Sequence, residues 1–226
     1  MAKTKRLTGR DGKVYQAAKS TVITGNGTTT LTKGTFYVPL TIGTTSGFPA
    51  NAQVGVPFVA AGTETPAADE TYISLTLNSQ CDVTSAGVEF EKDEIDITTL
   101  CDSIMTYAAG FTDATGTIEG ITTLNLSEPF IAKFVTVQVQ SSTGAITTTA
   151  QNDDTVLLVI ELNKIDNSDA NRALFIAPIT INSYNIEATI NEAQTYTSGF
   201  RIAQDNEIKP ALIEADKALF EVGSST

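Results

Sequence analysis

The stretch SYNIEATIN, residues 183–191, alternates without a fault. Tyr184, Ile186, Ala188 and Ile190 fall on one side of an extended chain, and Ser183, Asn185, Glu187, Thr189 and Asn191 on the other. A side-chain period of two marks a half-buried strand, because successive Cβ atoms point to opposite faces. The same period recurs at Phe36, Val38, Leu40 and Ile42, at Ile73, Leu75 and Leu77, at Ile95 and Ile97, and at Val156, Leu158, Ile160 and Leu162. Around these runs stand 36 threonines, many beside Val, Ile, Gly or another Thr, and such β-branched abundance favours extended backbone over helix. Gly25-Asn26-Gly27, Ser85-Ala86-Gly87 and Ser141-Ser142-Thr143-Gly144 punctuate the runs as turns. No strand-helix-strand rhythm is visible, so the expected fold is all-β, an antiparallel meander, sandwich or barrel-forming sheet.

Three places depart from alternation. Residues 43–70 carry Gly43, Gly47, Pro49, Gly55, Pro57, Gly62 and Pro66 around a weak strand at 53–60, which predicts a long loop or hairpin projecting from the body. At 128–140, Phe130, Phe134 and Val137 stand at helical spacing behind a capping Ser127, while Val135, Val137 and Val139 alternate. Periodicity does not decide between them; the cap favours one flanking helix. Pro210 to Phe220 is rich in Ala, Leu, Glu and Lys with Leu212, Ala215 and Leu219 on one face, which predicts a short C-terminal helix. The expected organisation is one domain over 1–226: a basic arm at 1–20, a body at 21–204 with the 43–70 excursion, and an extension at 205–226. A chain of this length buries about 70% of its unfolded surface.

Composition removes whole classes of chemistry. The chain has no histidine and no tryptophan. That excludes Ser-His-Asp and Cys-His nucleophiles, a histidine proton shuttle and histidine-ligated metal. No phosphate loop, GxGxxG or GxSxG occurs, so no cofactor is expected. Cys81 and Cys101 lie outside any CxxC arrangement and read as buried apolar thiols. Asp166, Asn167 and Asp169 lack the spacing of a calcium loop and read as Asx turns. The carboxylates at 89–96 have no aromatic sugar platform beside them, so they read as a solvated strand face and not as a glycosidase pair. Asn26-Gly27-Thr28 and Asn125-Leu126-Ser127 fit the glycosylation pattern and read as turns. The longest aliphatic run, 156–160, is too short to span a bilayer, and MAKTKRLTGR leads into no apolar stretch, so neither membrane insertion nor signal-directed export is expected.

Charge is divided. Residues 1–19 hold Lys3, Lys5, Arg6, Arg10, Lys13 and Lys19 against Asp11, or +5, which leaves −17 on the remainder of a chain whose net charge is −12. No basic residue stands between Lys33 and Lys92. An acidic body repels phosphate and does not suit a nucleic-acid reader. A basic arm that docks on the acidic body of another copy accounts for both halves; the arm alone binding DNA accounts for one.

Two stretches carry a resemblance. Residues 94–121, EIDITTLCDSIMTYAAGFTDATGTIEGI, join an acid-and-Thr strand near Ile95 to a glycine turn at Gly110 and a strand ending at Ile118 to Gly120. Residues 177–202, APITINSYNIEATINEAQTYTSGFRI, pair a polar Asn/Glu strand with a Thr/Ser-rich strand entering Phe200. Together they resemble the bacteriophage tail tube, or major tail, proteins over roughly a quarter of the chain. The resemblance implies a β-sandwich with one flanking helix and a structural, non-enzymatic virion protein assembled in the host cytoplasm. Six copies would close a ring, and rings would stack into a tube that conducts genomic DNA. Partners would be further copies, a tape measure, a terminator and a baseplate, with no membrane. Asn185, Glu187, Thr189, Asn191, Glu94, Asp96 and Glu119 would face the lumen, and Lys3, Lys5, Arg6, Arg10 and Lys13 would form the inter-subunit arm. The alternatives are a terminator, baseplate hub or decoration protein, a bacterial secretion-tube ring, and an adhesin-like or carbohydrate-binding β-domain.

Overall fold

The computed structural model describes residues 13–80, 83–96, 107–121, 133–134, 137–149, 155–161, 171–187 and 194–216. Their regular structure is almost wholly strand, as the threonine-rich composition predicts. In chain order these are β1 (Val14–Lys19), β2 (Ile23–Thr24), β3 (Phe36–Thr41), β4 (Phe58–Val59), β5 (Thr71–Ser79), β6 (Val83–Asp96) and β7 (Tyr107–Ile121). There follow β8 (Val137–Gln140), β9 (Ile146–Thr149), β10 (Val156–Glu161), β11 (Asn171–Glu187), β12 (Thr195–Ile202) and β13 (Ala211–Asp216).

Two expected helices are strands instead. Val137–Gln140 pairs antiparallel with Ile146–Thr149. Gly144, at φ +84°, closes the hairpin, with its N–H donating to the Ser141 carbonyl at 2.9 Å. The valines at 137 and 139 therefore follow their β-branched preference; Lys133 stands in a 3-10 turn and Phe134 in the turn after it, and the rest of 128–136 lies outside the described residues. Ala211–Asp216 runs beside β11, Asn171 against Asp216 through Ile176 against Ala211, so six cross-strand pairs override the helical propensity of Ala, Leu and Glu. Residues 217–220 of that expectation lie outside the description. Ser85 to Gly87 and Gly110, expected as turns, lie within β6 and β7.

The chain divides into two compact units. The first comprises 1–83, 155–179 and 203–226; in it the strands run in the order β4-β3-β5-β1-β10-β11-β13, every neighbouring pair antiparallel, with β2 on β5. One face buries Tyr15, Ala17, Phe36, Val38, Ile73, Leu75, Leu157, Val159, Leu174, Ile176 and Ala215 in a single cluster. Val59 of β4 and Ile213 of β13, at opposite ends of the strand order, pack against that same cluster. The sheet is therefore curled, and β13 returns beside β4. The link from β12 to β13 enforces this return: Lys209 N–H donates to the Gly55 carbonyl and Gly55 N–H to the Pro39 carbonyl, each at 2.8 Å. Lys19 Nζ also holds Asp205 at 2.6 Å and Glu207 at 3.0 Å. β10, read from alternation as half-buried, is buried on both faces over all six residues, as its continuous VLLVI run allows.

The second unit comprises 84–154 and 180–202. It carries the C-terminal part of β11 followed by β12, β7 and β6, and the β8–β9 hairpin. β12 and β7 pair from Thr195 against Ile121 to Arg201 against Thr115. Phe200, fully buried, lies over Gly116, where a Cβ would collide with the ring and with the Gly87 carbonyl. An alanine there forces one of the strands to shift, so the glycine fixes how closely β6, β7 and β12 approach.

Candidate assembly surfaces

The described part of the second unit has one wet face. Thr195, Thr197, Gly199 and Arg201 on β12 share it with Thr115, Thr117, Glu119 and Ile121 on β7, by register. Ser183 joins them, since its Oγ accepts from Gly199 N–H at 3.2 Å and lies where a Cβ on Gly199 would point. Asn185 and Glu187 follow on the same side of β11, with Asn185 Nδ2 donating to Glu187 Oε1 at 3.4 Å. Opposite them, Tyr184 stacks on Tyr196, ring centroids 5.5 Å apart.

Of the residues expected to line a lumen, Glu119, Asn185 and Glu187 are thus exposed on one face of three adjacent strands. Glu94 and Asp96 lie on β6, their side chains outside the description; Thr189 and Asn191 lie outside it altogether. Lys3, Lys5, Arg6 and Arg10 are likewise outside, and Lys13 is exposed just before β1. Cys81, Cys101 and residues 166–169 are not among the described residues. Sequence reading missed how far acidity concentrates: the second unit's residues include three basic side chains against thirteen acids, a charge of −10.

β6 ends the strand order of this unit, and among the described residues no strand pairs its far side. Fourteen residues at about 3.3 Å each make an edge roughly 45 Å long. Its described side chains include the acids Glu89 and Glu91 and the exposed Phe90. Exposed Ile121, Ile146 and Ile186 add apolar surface to the same unit, so the apolar side expected of the Ser183 strand is only partly covered.

The first unit holds two buried carboxylates that the sequence reading passed over. Glu70, wholly buried, accepts backbone N–H groups from Gly43 at 3.2 Å, Gly47 at 3.1 Å and Ala67 at 2.8 Å. Glu64 accepts from Ala61, Gly62 and Thr63 at 3.0–3.1 Å. Burial alone pushes both carboxyls up, but the donors together outweigh it and hold each below the ordinary carboxylate value. Part of the signal was available: two acids sit in a Gly/Pro-rich stretch with no basic residue near in sequence, which points to uncharged donors, here backbone amides and, for Glu70, the Ser46 side chain as well. Phe48, Phe58, Tyr37 and Tyr72 then pack over the sheet with centroids 5.6–6.2 Å apart, edge to face except for the tilted Tyr37–Phe58 pair.

Among the described residues no group of three His, Cys, Asp or Glu side chains is placed to hold a metal ion, and no helix is long and apolar enough to cross a membrane. No protein-family model matches the chain, and no curated protein matches it. Among solved structures it is similar to a chain in the tail of an empty gene transfer agent particle, refined helically with C6 symmetry. The identity is 11% and the TM-score 0.40, over 62% of this chain and 86% of that one. It is also similar to a chain in the virion of a native gene transfer agent particle, at 12% identity and TM-score 0.41, over 62% of this chain and 88% of the other.

Proposed function

We propose that this chain is a structural subunit of a phage-type tail tube, in which six copies close a ring, rings stack, and DNA passes through a polar, acidic bore. The observation that carries the reading is the long β6 edge beside the wet face of the acidic unit. An exposed edge is a pairing liability in a lone subunit, and a ring of identical copies removes it by closure. DNA carries one charge per about 1.7 Å of axis, and at physiological salt a charge is felt over about 8 Å. A wall of Thr, Asn and Glu repels phosphate without gripping it, where a cationic wall would hold it. The likeness of residues 94–121 and 177–202 to major tail proteins supports the same reading. The sandwich implied by that resemblance, assembly in the host cytoplasm, and contacts with tape measure, terminator and baseplate belong to it as well.

Electron microscopy of the purified protein tests it. Hollow tubes of uniform bore are expected. Isolated rings would favour a terminator, hub or secretion ring instead, and monomers at every concentration and ionic strength would remove the proposal.

A further inference from the structure

The β8–β9 hairpin of the second unit forms a two-stranded sheet of its own, outside the strand order that runs through β11, β12, β7 and β6. Among the described residues its hydrogen bonds stay within itself: the ladder from Val137 against Thr149 to Gln140 against Ile146, the turn bonds of Ser141 and Gly144, and Ser141 Oγ with Thr143 Oγ1 at 2.7 Å. Gln138, Gln140 and residues 141–148 are exposed, Ile146 at 60%. A lone two-stranded hairpin is at best marginally stable in water. Six of the eight strand residues are β-branched and residues 137–149 carry no charge, the composition of a strand that gains by pairing further. The ladder also fixes which backbone groups are bare. Ser141 N–H donates to the Ala145 carbonyl at 2.8 Å in the same register, so Val139 with Thr147 and Val137 with Thr149 are the hydrogen-bonded pairs. Ile146 and Thr148 therefore turn their N–H and C=O groups away from β8.

We infer that β9 of one copy adds to the β6 edge of the next, as a strand laid along an open sheet. The inference rests on the self-assembly proposed above and names the surface that meets the β6 edge. In one chain the two strands lie in separate sheets, so their pairing belongs between copies. Charge selects the match. β6 carries Glu89, Glu91, Asp93, Glu94 and Asp96 against Lys92, or −4, and like charges set opposite one another destabilise a ladder, so two β6 edges repel. An uncharged, Thr-rich strand bonds the same backbone groups without that repulsion. The side-chain period fits as well. Along β6, Val88 and Phe90 alternate with Glu89 and Glu91; along β9, Ile146 alternates with Thr147. One register then sets Ile146 on the apolar side of β6 and Thr147 on the carboxylate side.

Disulfide scanning between two chains tests this. In a background with Cys81→Ser and Cys101→Ser, a tagged chain carries Ser85→Cys, Glu89→Cys, Glu91→Cys or Asp93→Cys on β6, and an untagged chain carries Ile146→Cys, Thr147→Cys or Thr148→Cys on β9. Each chain then holds one thiol, so every disulfide joins two copies. The chains are mixed, assembled, oxidised and run on a non-reducing gel. Opposed residues of paired strands come within disulfide range. The expected result is mixed dimers at alternate β9 positions, so that a given β6 cysteine captures either Thr147→Cys or its two neighbours, not all three. Adding Thr148→Pro to the Ile146→Cys and Thr147→Cys chains removes an outward N–H and no bond of the hairpin, and should lower the yield about tenfold; Thr148→Ala, which keeps the N–H, should leave it unchanged. Equal capture at all three positions, or a yield that the proline does not lower, would overturn the inference. Dimers of the tagged chain alone would assign the edge to a second β6, and capture by Asn185→Cys with none by β9 would assign it to β11; either result overturns it likewise. Tubes that form without any crosslink to β9 sink the inference and leave the proposed function standing; a parent protein that never assembles sinks both.

Discussion

Arg172 and Glu161 form an ion pair in the interior of the first unit, Nε to Oε1 3.0 Å, with side chains 2% and 3% exposed. Arg172 lies on the face of β11 that carries Leu174 and Ile176, and Glu161 on the face of β10 that carries Leu157 and Val159, so two charges sit beside the main apolar cluster. Burial, and then the charge of Glu161, push the Tyr15 hydroxyl up to about 12, which keeps it protonated at any ordinary pH. Guanidinium nitrogens Nη1 and Nη2 have no hydrogen-bond partner among the described residues, so Glu161 is the one carboxylate shown compensating Arg172. Glu161→Ala is therefore expected to cost about 3–5 kcal/mol, a large share of the total for a domain. Replacing both partners, Glu161→Leu with Arg172→Met, is expected to recover most of that loss, because a buried pair returns little beyond its own desolvation. Urea unfolding of the two variants checks this, and a double variant no better than the single one would show that the pair does more than neutralise itself. Neither residue was legible as buried. Alternation at 156–162 assigned odd positions to water, whereas Leu157, Val159 and Glu161 all face inward.

At the scale of elements, the strands were legible where the period of two was long, as at β3, β5 and the start of the Ser183 stretch, and at β5 and the Ser183 stretch the polar side is also the wetter one. β3 is the exception among these, buried on both faces from Phe36 to Pro39 although its sequence alternates. Strands were illegible where residue type and pairing pulled apart. In β13 the composition is helical, and only the six partners on β11 hold the segment extended; such partners are invisible in a local window. In β8 the competing Ser127 cap outweighed two valines on paper, and the hairpin with β9 decides the matter. The 43–70 excursion was legible as irregular but not as fastened. Its fastening predicts a pH dependence. Glu70 and Glu64 have carboxyls lowered by folding, so the unfolded chain binds more protons as pH falls through the ordinary carboxylate range. Their stabilisation is complete above that range and lost as pH drops through the lower, folded values. Protection of the Gly43, Gly47 and Ala67 amides against exchange should therefore fall on acidification ahead of protection in β1 and β10. Glu70→Gln should bring much of that loss of protection to neutral pH, at a cost of about 3 kcal/mol, by turning an amide N–H₂ toward backbone donors. Equal protection in the variant and the parent at pH 7 would release Glu70 from this role.

For the whole molecule the division of charge has consequences at both ends of the chain's sequence. Residues 14–19 of the basic stretch are β1, lying between β5 and β10, so a deletion that spares every described strand ends at 12. Deleting residues 2–12 is expected to leave a folded chain by circular dichroism and to shorten or abolish tubes in micrographs; tubes of normal length would take the arm out of assembly. At the other pole stands Glu187, exposed on the wet face with Asn185 and Glu119. If the proposed ring of six forms with this face inward, Glu187→Lys would change its wall by twelve charges per layer and leave the β6 edge untouched. Assembly should persist and DNA delivery should slow, measured as the rate of genome release from particles carrying the variant. Because the hold is electrostatic, it should ease as salt shortens the screening distance from about 8 Å to about 3 Å near 1 M. Glu187→Gln, which removes repulsion without adding attraction, should fall between the two. A lysine variant that releases DNA at the parental rate at every ionic strength would mean that this face does not line the passage, and the wet side of the second unit would then need another explanation.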